Sequence, residues 1–141
     1  MTTATKTVTK SIRMQHKDLA EIERLSRQSG KDFSAITNEL LREAIKMRKC
    51  PGIVFAHEME RSAKIAGSGI EVWEVIAQYK AMDKDEQRLK KAFHWLTEYQ
   101  LRSALGYYKA YPEEIDRQIE LNEMVNEDYV RKNYSHLRVG A

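Results

Sequence analysis

Hydrogen-bonding side chains alternate with apolar ones near the start of the chain, in the segment 7–14. One face of this segment carries Thr7, Thr9, Ser11 and Arg13. The other face carries Val8, Ile12 and Met14, with Lys10 between them. A period of two predicts a β-strand. Hydroxyl and guanidinium groups can bond base edges in a major groove, so Thr9, Ser11 and Arg13 are candidate base contacts. The same pattern also fits an ordinary solvent-exposed strand face.

A second set of polar residues precedes a predicted helix at Lys31, Asp32, Phe33 and Ser34. The unpaired backbone N–H groups at a helix start suit an anion such as a DNA phosphate. Asp32 or Ser34 is also a suitable N-cap, and an ordinary cap explains the segment equally well. The charge of Asp32 opposes a phosphate unless its side chain turns inward as the cap.

The elements around these residues follow from hydrophobic spacing. A first helix is predicted from Leu19, Ile22, Leu25 and Ser26, and Gly30 ends it. A second helix carries the apolar stripe Ile36, Leu40, Leu41, Ala44 and Ile45, and Cys50-Pro51-Gly52 stops it. One strand and two helices are too small to bury a sufficient core, and a lone strand leaves its edge open. We therefore expect a homodimer with a two-stranded antiparallel ribbon, in which the dimer core contains Ile12, Met14, Ile36, Leu40 and Leu41.

Residues 7–49 resemble a ribbon-helix-helix domain of the Arc/MetJ/CopG type. The matching residues are Ser11-Ile12-Arg13-Met14, then Leu19, Ile22, Leu25, Gly30, and finally Ile36, Leu40, Leu41 and Ala44. The resemblance implies that Thr9, Ser11 and Arg13 contact bases and that Lys31 through Ser34 contact phosphate. The chain departs from the pattern at Gln15, where proline is usual, and at Lys10, where an apolar residue is usual.

The second half of the sequence predicts a hairpin followed by helices. Residues 53–56 and 63–66 are the strand candidates, around the polar loop HEMERS. Three helix starts with capping-box spacing begin at Ser68, Asp83 and Thr97, and a fourth helix begins at Pro112. We expect Trp73 and Trp95 in the core, and assign Tyr107, Tyr108 and Tyr111 to packing rather than to base stacking. The acids Glu113, Glu114 and Asp116 fit the helix dipole better than catalysis.

Two motifs in this half resemble a known kind of domain. They are Ala63-Lys64-Ile65-Ala66-Gly67-Ser68-Gly69-Ile70 with Val72-Trp73, and Trp95-Leu96-Thr97 with Gln100 through Leu105, Tyr107-Tyr108 and Pro112 through Asp116. Over residues 51–120 they resemble a small winged-helix-like domain of a family of unknown function, similar to the antitoxin partners of PIN-like nuclease toxins. The resemblance implies a toxin protein as partner.

The fourth helix continues beyond this resemblance with an apolar stripe, which makes it a candidate partner-binding surface. The stripe consists of Leu121, Met124, Val125 and Tyr129. Packing on its own domain or on the dimer mate explains the stripe equally well. The predicted fold is mainly α with short β: a ribbon-helix-helix dimer plus a small helical domain with a β-hairpin. The predicted domains are 7–50 and 51–132, followed by a flexible tail at 133–141.

Charge and composition restrict the function classes. Residues 1–50 hold 11 Lys/Arg and 6 Asp/Glu, a net of +5, and residues 51–141 hold 13 and 15, a net of −2. A basic front half suits duplex DNA, and the acidic remainder suits a protein partner. The four histidines lack metal-ligand spacing, and neither a nucleophile motif nor a phosphate loop is present. We expect no metal, no cofactor, no catalytic residues and no enzyme activity.

A single cysteine, Cys50, fits a reducing compartment, and the sequence has neither a secretory signal nor an apolar run long enough for a membrane. We therefore expect a cytoplasmic protein that forms a homodimer or higher even oligomer. The favoured interpretation is a repressor that acts as the autoregulating antitoxin of a PIN-like ribonuclease toxin. The alternative is a stand-alone regulator whose second domain oligomerises, senses a ligand or contacts DNA.

Overall fold

The computed structural model describes residues 6–56 and 61–133. The helices within these ranges are α1 (His16–Ser29), α2 (Phe33–Lys49), α3 (Val72–Ala81), α4 (Glu86–Ala92), α5 (Glu98–Ala110) and α6 (Pro112–Asn133). The strands are β1 (Ile53–Ala56) and β2 (Ser62–Ile65). The predicted class, mainly α with short β, is confirmed. Most of the polar loop after β1 and the predicted tail from residue 134 onward lie outside the described residues.

The chain divides into two compact units, residues 1–42 and 43–141, which we call the front unit and the rear unit. The division falls inside α2, so the last turns of this helix, residues 43–49, belong to the rear unit. The sequence placed its boundary later, at the helix stop Cys50-Pro51-Gly52. Each unit is described by itself below.

The front unit contains α1 and most of α2. Gly30 ends α1 in the left-handed conformation, with φ 73°, and its N–H donates to the Ser26 carbonyl over 3.0 Å. This conformation favours glycine because a Cβ would be strained there. Residues 6–15 form neither a helix nor a ladder with any strand of the described chain. A ribbon needs a second copy, so the predicted strand at 7–14 stays a prediction.

The rear unit is built on an antiparallel hairpin of β1 and β2, in which Ile53 lies opposite Ile65 and Phe55 lies opposite Ala63. The second strand starts one residue earlier than the sequence suggested. The hairpin and the helices share one core, with contributions from β1, β2, α3, α4, α5 and α6. Its fully buried large side chains are Tyr107, Ile65, Ile76, Leu89, Ile115, Val72 and Val75.

Two of the predicted helix starts were displaced. The N-cap of α3 is Glu71, which forms a capping box with Glu74, because the Ser68 hydroxyl instead donates to the Ile65 carbonyl in the preceding turn. The N-cap of α4 is Asp85, whose carboxylate accepts from the N–H groups of the first turn. Asp83 lies before that helix, in the left-handed region with φ 55°.

The other two starts are confirmed. Thr97 and Gln100 form the predicted capping box of α5, and α6 begins at Pro112. Proline suits this first helical position because a backbone N–H there would have no intrahelical partner, so nothing is lost by its absence.

Of the aromatic side chains predicted to lie in the core, Trp95 does not. Tyr107 is fully buried, and Trp73 packs against the core while its indole N–H donates to Glu71 over 2.7 Å. Trp95, which the sequence assigned to the core, is 59% exposed. Phe93, two residues before Trp95, is the aromatic side chain that is buried at the end of α4. No described helix is long and apolar enough to cross a membrane.

Candidate nucleic-acid interface

The predicted base contacts lie in the segment that precedes α1. Thr9, Ser11 and Arg13 are all exposed. The guanidinium of Arg13 makes no hydrogen bond or ion pair with another described residue, so all its donors remain available. Five N–H donors in a planar fork are the chemistry that recognises a guanine edge or a phosphate.

The predicted dimer core is largely uncovered in a single chain. Ile12 is 67% exposed, Leu41 51% and Leu40 38%, whereas Ile36 is buried and Met14 is half-buried. Large apolar side chains at these exposures gain stability when another surface removes them from water. The front unit therefore presents apolar residues from both the N-terminal segment and α2 that a second copy would cover.

Asp32 closes the start of α2 as an N-cap. Its carboxylate Oδ1 accepts from the Ala35 N–H over 2.8 Å, and its carbonyl accepts from the Ile36 N–H over 3.1 Å. The side chain therefore turns toward the helix, as the sequence required for an anion to approach. The N–H groups of Phe33 and Ser34, in the first turn, donate to no described residue. They remain free for an incoming phosphate oxygen.

An open pocket of about 500 Å³ lies on the first turns of α2. Its lining residues are Lys31, Asp32, Ser34, Ala35, Asn38, Glu39 and Arg42. Lys31 Nζ lies 3.3 Å from Glu39 Oε2, and Arg42 forms no ion pair with another described residue. Two cations therefore line the same open pocket as Ser34, one of the two residues with a free N–H. Three of the four predicted phosphate contacts line this pocket, and the fourth, Phe33, does not.

Arg42 was missed from the sequence, although a signal was present. Ala35, Asn38, Glu39 and Arg42 follow the spacing i, i+3, i+4, i+7 and therefore share one helical face. Extending the face that begins beside the cap would have included this arginine among the candidate phosphate contacts.

The predicted partner-binding stripe lies on the second half of α6 in the rear unit. Ile115 is buried and Ile119 packs against the core. The large apolar residues that follow are exposed by half or more: Leu121, Met124, Val125, Tyr129 and Val130. The first four share one face of the helix, and we call them the α6 stripe. Val130, which the sequence analysis did not single out, lies across the helix from Leu121 and is not part of the stripe.

The acids at the start of α6 have structural partners that the sequence did not indicate. Glu114 accepts from the buried Tyr107 hydroxyl and from Lys46 Nζ. Burial raises the pKa of Tyr107, and its hydrogen bond to Glu114 raises it further, so the phenol remains a donor. Lys46 Nζ also lies over the rings of Phe55 and Tyr111, 5.8 and 5.2 Å from their centroids. Through Lys46, the end of α2 therefore contacts the start of α6.

No group of three or more metal-ligating side chains occurs among the described residues. Of the four histidines, His16 and His94 are exposed, and His57 and His136 lie outside the described residues. No protein-family model, curated protein or solved structure matches this chain. The resemblances of residues 7–49 and 51–120 are therefore supported by their motifs alone.

Proposed function

We propose that the protein is a dimeric, sequence-specific DNA-binding repressor of the ribbon-helix-helix type. The observation that supports this most concerns residues 6–15, which are exposed apart from Met14 and pair with no strand of the described chain. In addition, Ile12, Leu40 and Leu41 contact water. Pairing two copies would satisfy the strand edges and cover the apolar residues in one step.

The DNA contacts of this proposal divide into two kinds. Thr9, Ser11 and Arg13 of both copies would form one polar surface on a two-stranded ribbon, which fits the major groove. The first turns of α2, where Lys31 and Arg42 line one pocket with Ser34, would hold the flanking phosphates and so position the ribbon. Base contacts would therefore determine specificity, and phosphate contacts would determine most of the salt dependence.

The rear unit, in this proposal, binds a protein partner through the α6 stripe. The helix is acidic, with 7 Asp/Glu against 3 Lys/Arg over residues 112–133. An acidic helix with an exposed apolar stripe suits a basic protein groove. The partner favoured by the sequence resemblance is a PIN-like ribonuclease toxin, which would make the protein an autoregulating antitoxin.

Selection from random-sequence duplex DNA with the full chain tests the DNA-binding proposal. We expect an inverted repeat, because a twofold dimer reads two equivalent half-sites. Recovery of sequences without symmetry or consensus would contradict it.

Expression from the native gene neighbourhood tests the partner. Val125→Asp should abolish co-purification of a ribonuclease while leaving operator affinity unchanged, and Glu123→Gln, on the opposite side of α6, is the matched control. A variant that loses both activities together would contradict the division of labour. A rear unit that binds duplex DNA would favour the stand-alone regulator.

A further inference from the structure

The charged side chains that line the pocket on the first turns of α2 balance one another, although the proposed function places a DNA phosphate there. The cations are Lys31 and Arg42, and the acids are Asp32 and Glu39. Binding to a polyanion is driven by cations that neutralise its phosphates. Because the acids in this pocket offset its cations, they lower its affinity for phosphate.

The two acids differ in what they do for the fold. Asp32 is the N-cap of α2, and its carboxylate satisfies the Ala35 N–H over 2.8 Å. Glu39 lies in the second turn of α2, and within the described chain it forms a hydrogen bond or ion pair only with Lys31. A helix does not require a carboxylate at such a position, since glutamine has a similar helix propensity. The charge of Glu39 is therefore not explained by the formation of α2.

The backbone of Lys31 is held in place by the end of α1. Its carbonyl accepts from the Ser26 hydroxyl over 2.5 Å, and its N–H donates to the Ser29 hydroxyl over 3.3 Å. From this position Lys31 Nζ lies 3.3 Å from Glu39 Oε2. The ammonium group is therefore already paired with a carboxylate in the absence of DNA.

A phosphate oxygen that enters this pocket meets an ammonium group that is occupied but accessible. The Lys31 side chain is 54% exposed, so a phosphate oxygen can reach it, whereas the Glu39 side chain is 25% exposed. Contact with phosphate either breaks the ion pair or brings a second negative charge beside Glu39, and both raise the free energy of the complex. Ion pairs at such exposure contribute little each, so the expected effect is moderate.

We propose that Glu39 competes with DNA phosphate for Lys31 and thereby limits how tightly the front unit holds duplex DNA of any sequence. This inference rests on the proposed function, because it concerns the pocket that would hold the flanking phosphates. Phosphate contacts carry no base information, so Glu39 lowers the affinity for operator and for other duplexes alike. The preference among sequences, assigned to Thr9, Ser11 and Arg13, is left unchanged.

Glu39→Gln in the full chain tests this competition. Binding is measured over a range of salt concentrations on two duplexes, one of random sequence and one that carries the operator recovered by selection. We expect both affinities to rise by the same factor, roughly three- to tenfold for a dimer with two such pockets. The salt dependence should also become steeper, because in the parent protein a Glu39 displaced from Lys31 takes up a cation and offsets part of the counterion release.

Glu23→Gln is the matched control, because Glu23 is exposed on α1 outside the pocket and the substitution changes the net charge equally. It should change both affinities much less than Glu39→Gln does. Equal gains from the two substitutions would overturn the proposal, because net charge alone would then explain them. An affinity of Glu39→Gln equal to that of the parent would also overturn it.

A double-mutant cycle tests whether Glu39 acts through Lys31. In Lys31→Ala no ion pair remains to be broken, so adding Glu39→Gln should raise the affinity several-fold less than it does in the parent. Equal gains in both backgrounds would overturn the competition for Lys31. Thermal unfolding followed by circular dichroism checks that all variants fold.

The parent protein separates this inference from the proposed function. If the parent binds both duplexes and Glu39→Gln binds them equally well, only the role of Glu39 is wrong. If the parent binds neither duplex, the proposed function is wrong, and the role of Glu39 falls with it.

Discussion

Arg13 is the single residue on which sequence recognition should depend most. Its guanidinium is exposed and unpaired among the described residues. Arg13→Ala should weaken operator binding by about 1–3 kcal/mol and flatten the preference at one position per half-site. Competition binding with a set of operator variants measures both effects.

Lys31→Ala is the control for that substitution, because a phosphate contact carries no base information. It should weaken binding to all sequences alike and reduce the salt slope by about one unit. If Arg13→Ala left the ranking of operator variants unchanged, the base-reading role and the strand register would both be wrong.

Asp116 should make the rear unit sensitive to acid. Its carboxylate accepts from Lys80 Nζ over 2.5 Å and from the Tyr108 hydroxyl over 2.9 Å, and the bond from Lys80 lowers its pKa. A group whose pKa is lower when folded stabilises the protein above its unfolded pKa, near 3.9, and loses this contribution as the pH falls through the folded pKa. Asp116→Asn should therefore lower the free energy of unfolding at neutral pH and make little difference in acid.

Chemical denaturation of the parent protein and of Asp116→Asn, between neutral pH and about pH 3, measures whether their free energies of unfolding become equal in acid. Glu113→Gln removes an exposed carboxylate in the first turn of the same helix and serves as the matched control. If the free energy of unfolding of Asp116→Asn differs from that of the parent by the same amount across this pH range, the assigned role of Asp116 is wrong.

Among the elements, α2 should control dimer stability. Leu40 is 38% exposed in the single chain, and a substitution on such a surface ordinarily changes stability by no more than about 0.5 kcal/mol. In the proposed dimer Leu40 becomes a core residue, so Leu40→Ala should instead destabilise by about 2–5 kcal/mol. Melting curves over a hundredfold range of concentration measure this, since folding and association are then coupled.

Val54→Ala is the matched control, because Val54 is 37% exposed but lies on β1 of the rear unit. It should shift the melting midpoint little. If the melting midpoint of the parent protein does not change on dilution, folding and dimerisation are not coupled. Equally small shifts of the melting midpoint for Leu40→Ala and Val54→Ala would also refute the proposed dimer.

At the scale of the whole molecule, the end of α2 should be needed by the rear unit. Residues 43–49 supply Lys46 to Glu114 and the buried Glu43 to Arg61, and Cys50 is part of the rear core. A fragment 43–141 should therefore be more stable than a fragment 51–141 by about 1–3 kcal/mol, because the shorter one leaves partly buried polar groups unpaired.

Urea denaturation of the two fragments measures the difference. Lys46→Met in the longer fragment is an intermediate case, which keeps the apolar stem and removes the ion pair. Equal stabilities would mean that α2 contributes nothing to the rear unit and that the boundary lies at residue 50.

Local signals were strong enough to predict several elements from the sequence. Gly30 ends α1, Thr97 and Gln100 form a capping box and Pro112 opens α6, because each depends on residues close along the chain. For α2 the sequence offered Asp32 or Ser34 as the cap, and the structure has Asp32. The stripe Leu121, Met124, Val125 and Tyr129 was also recognised from its spacing, but its exposure was not, because packing on its own domain fitted the same spacing equally well.

Where several residues of similar chemistry lie close together in the sequence, only the tertiary structure determines which one is buried and which one contacts another helix. Phe93 and Trp95 are both apolar at the end of α4, and packing buries the first while leaving the second in water. Glu114 and Asp116 look like a solvated first turn, yet they hold Tyr107, Lys46, Tyr108 and Lys80 from other helices. The open pocket lined by α4 and α5, which includes Gly106, likewise exists only because these two helices meet. Spacing along the chain encodes local hydrogen bonds and the faces of helices, whereas contacts between distant residues depend on how the helices pack in three dimensions.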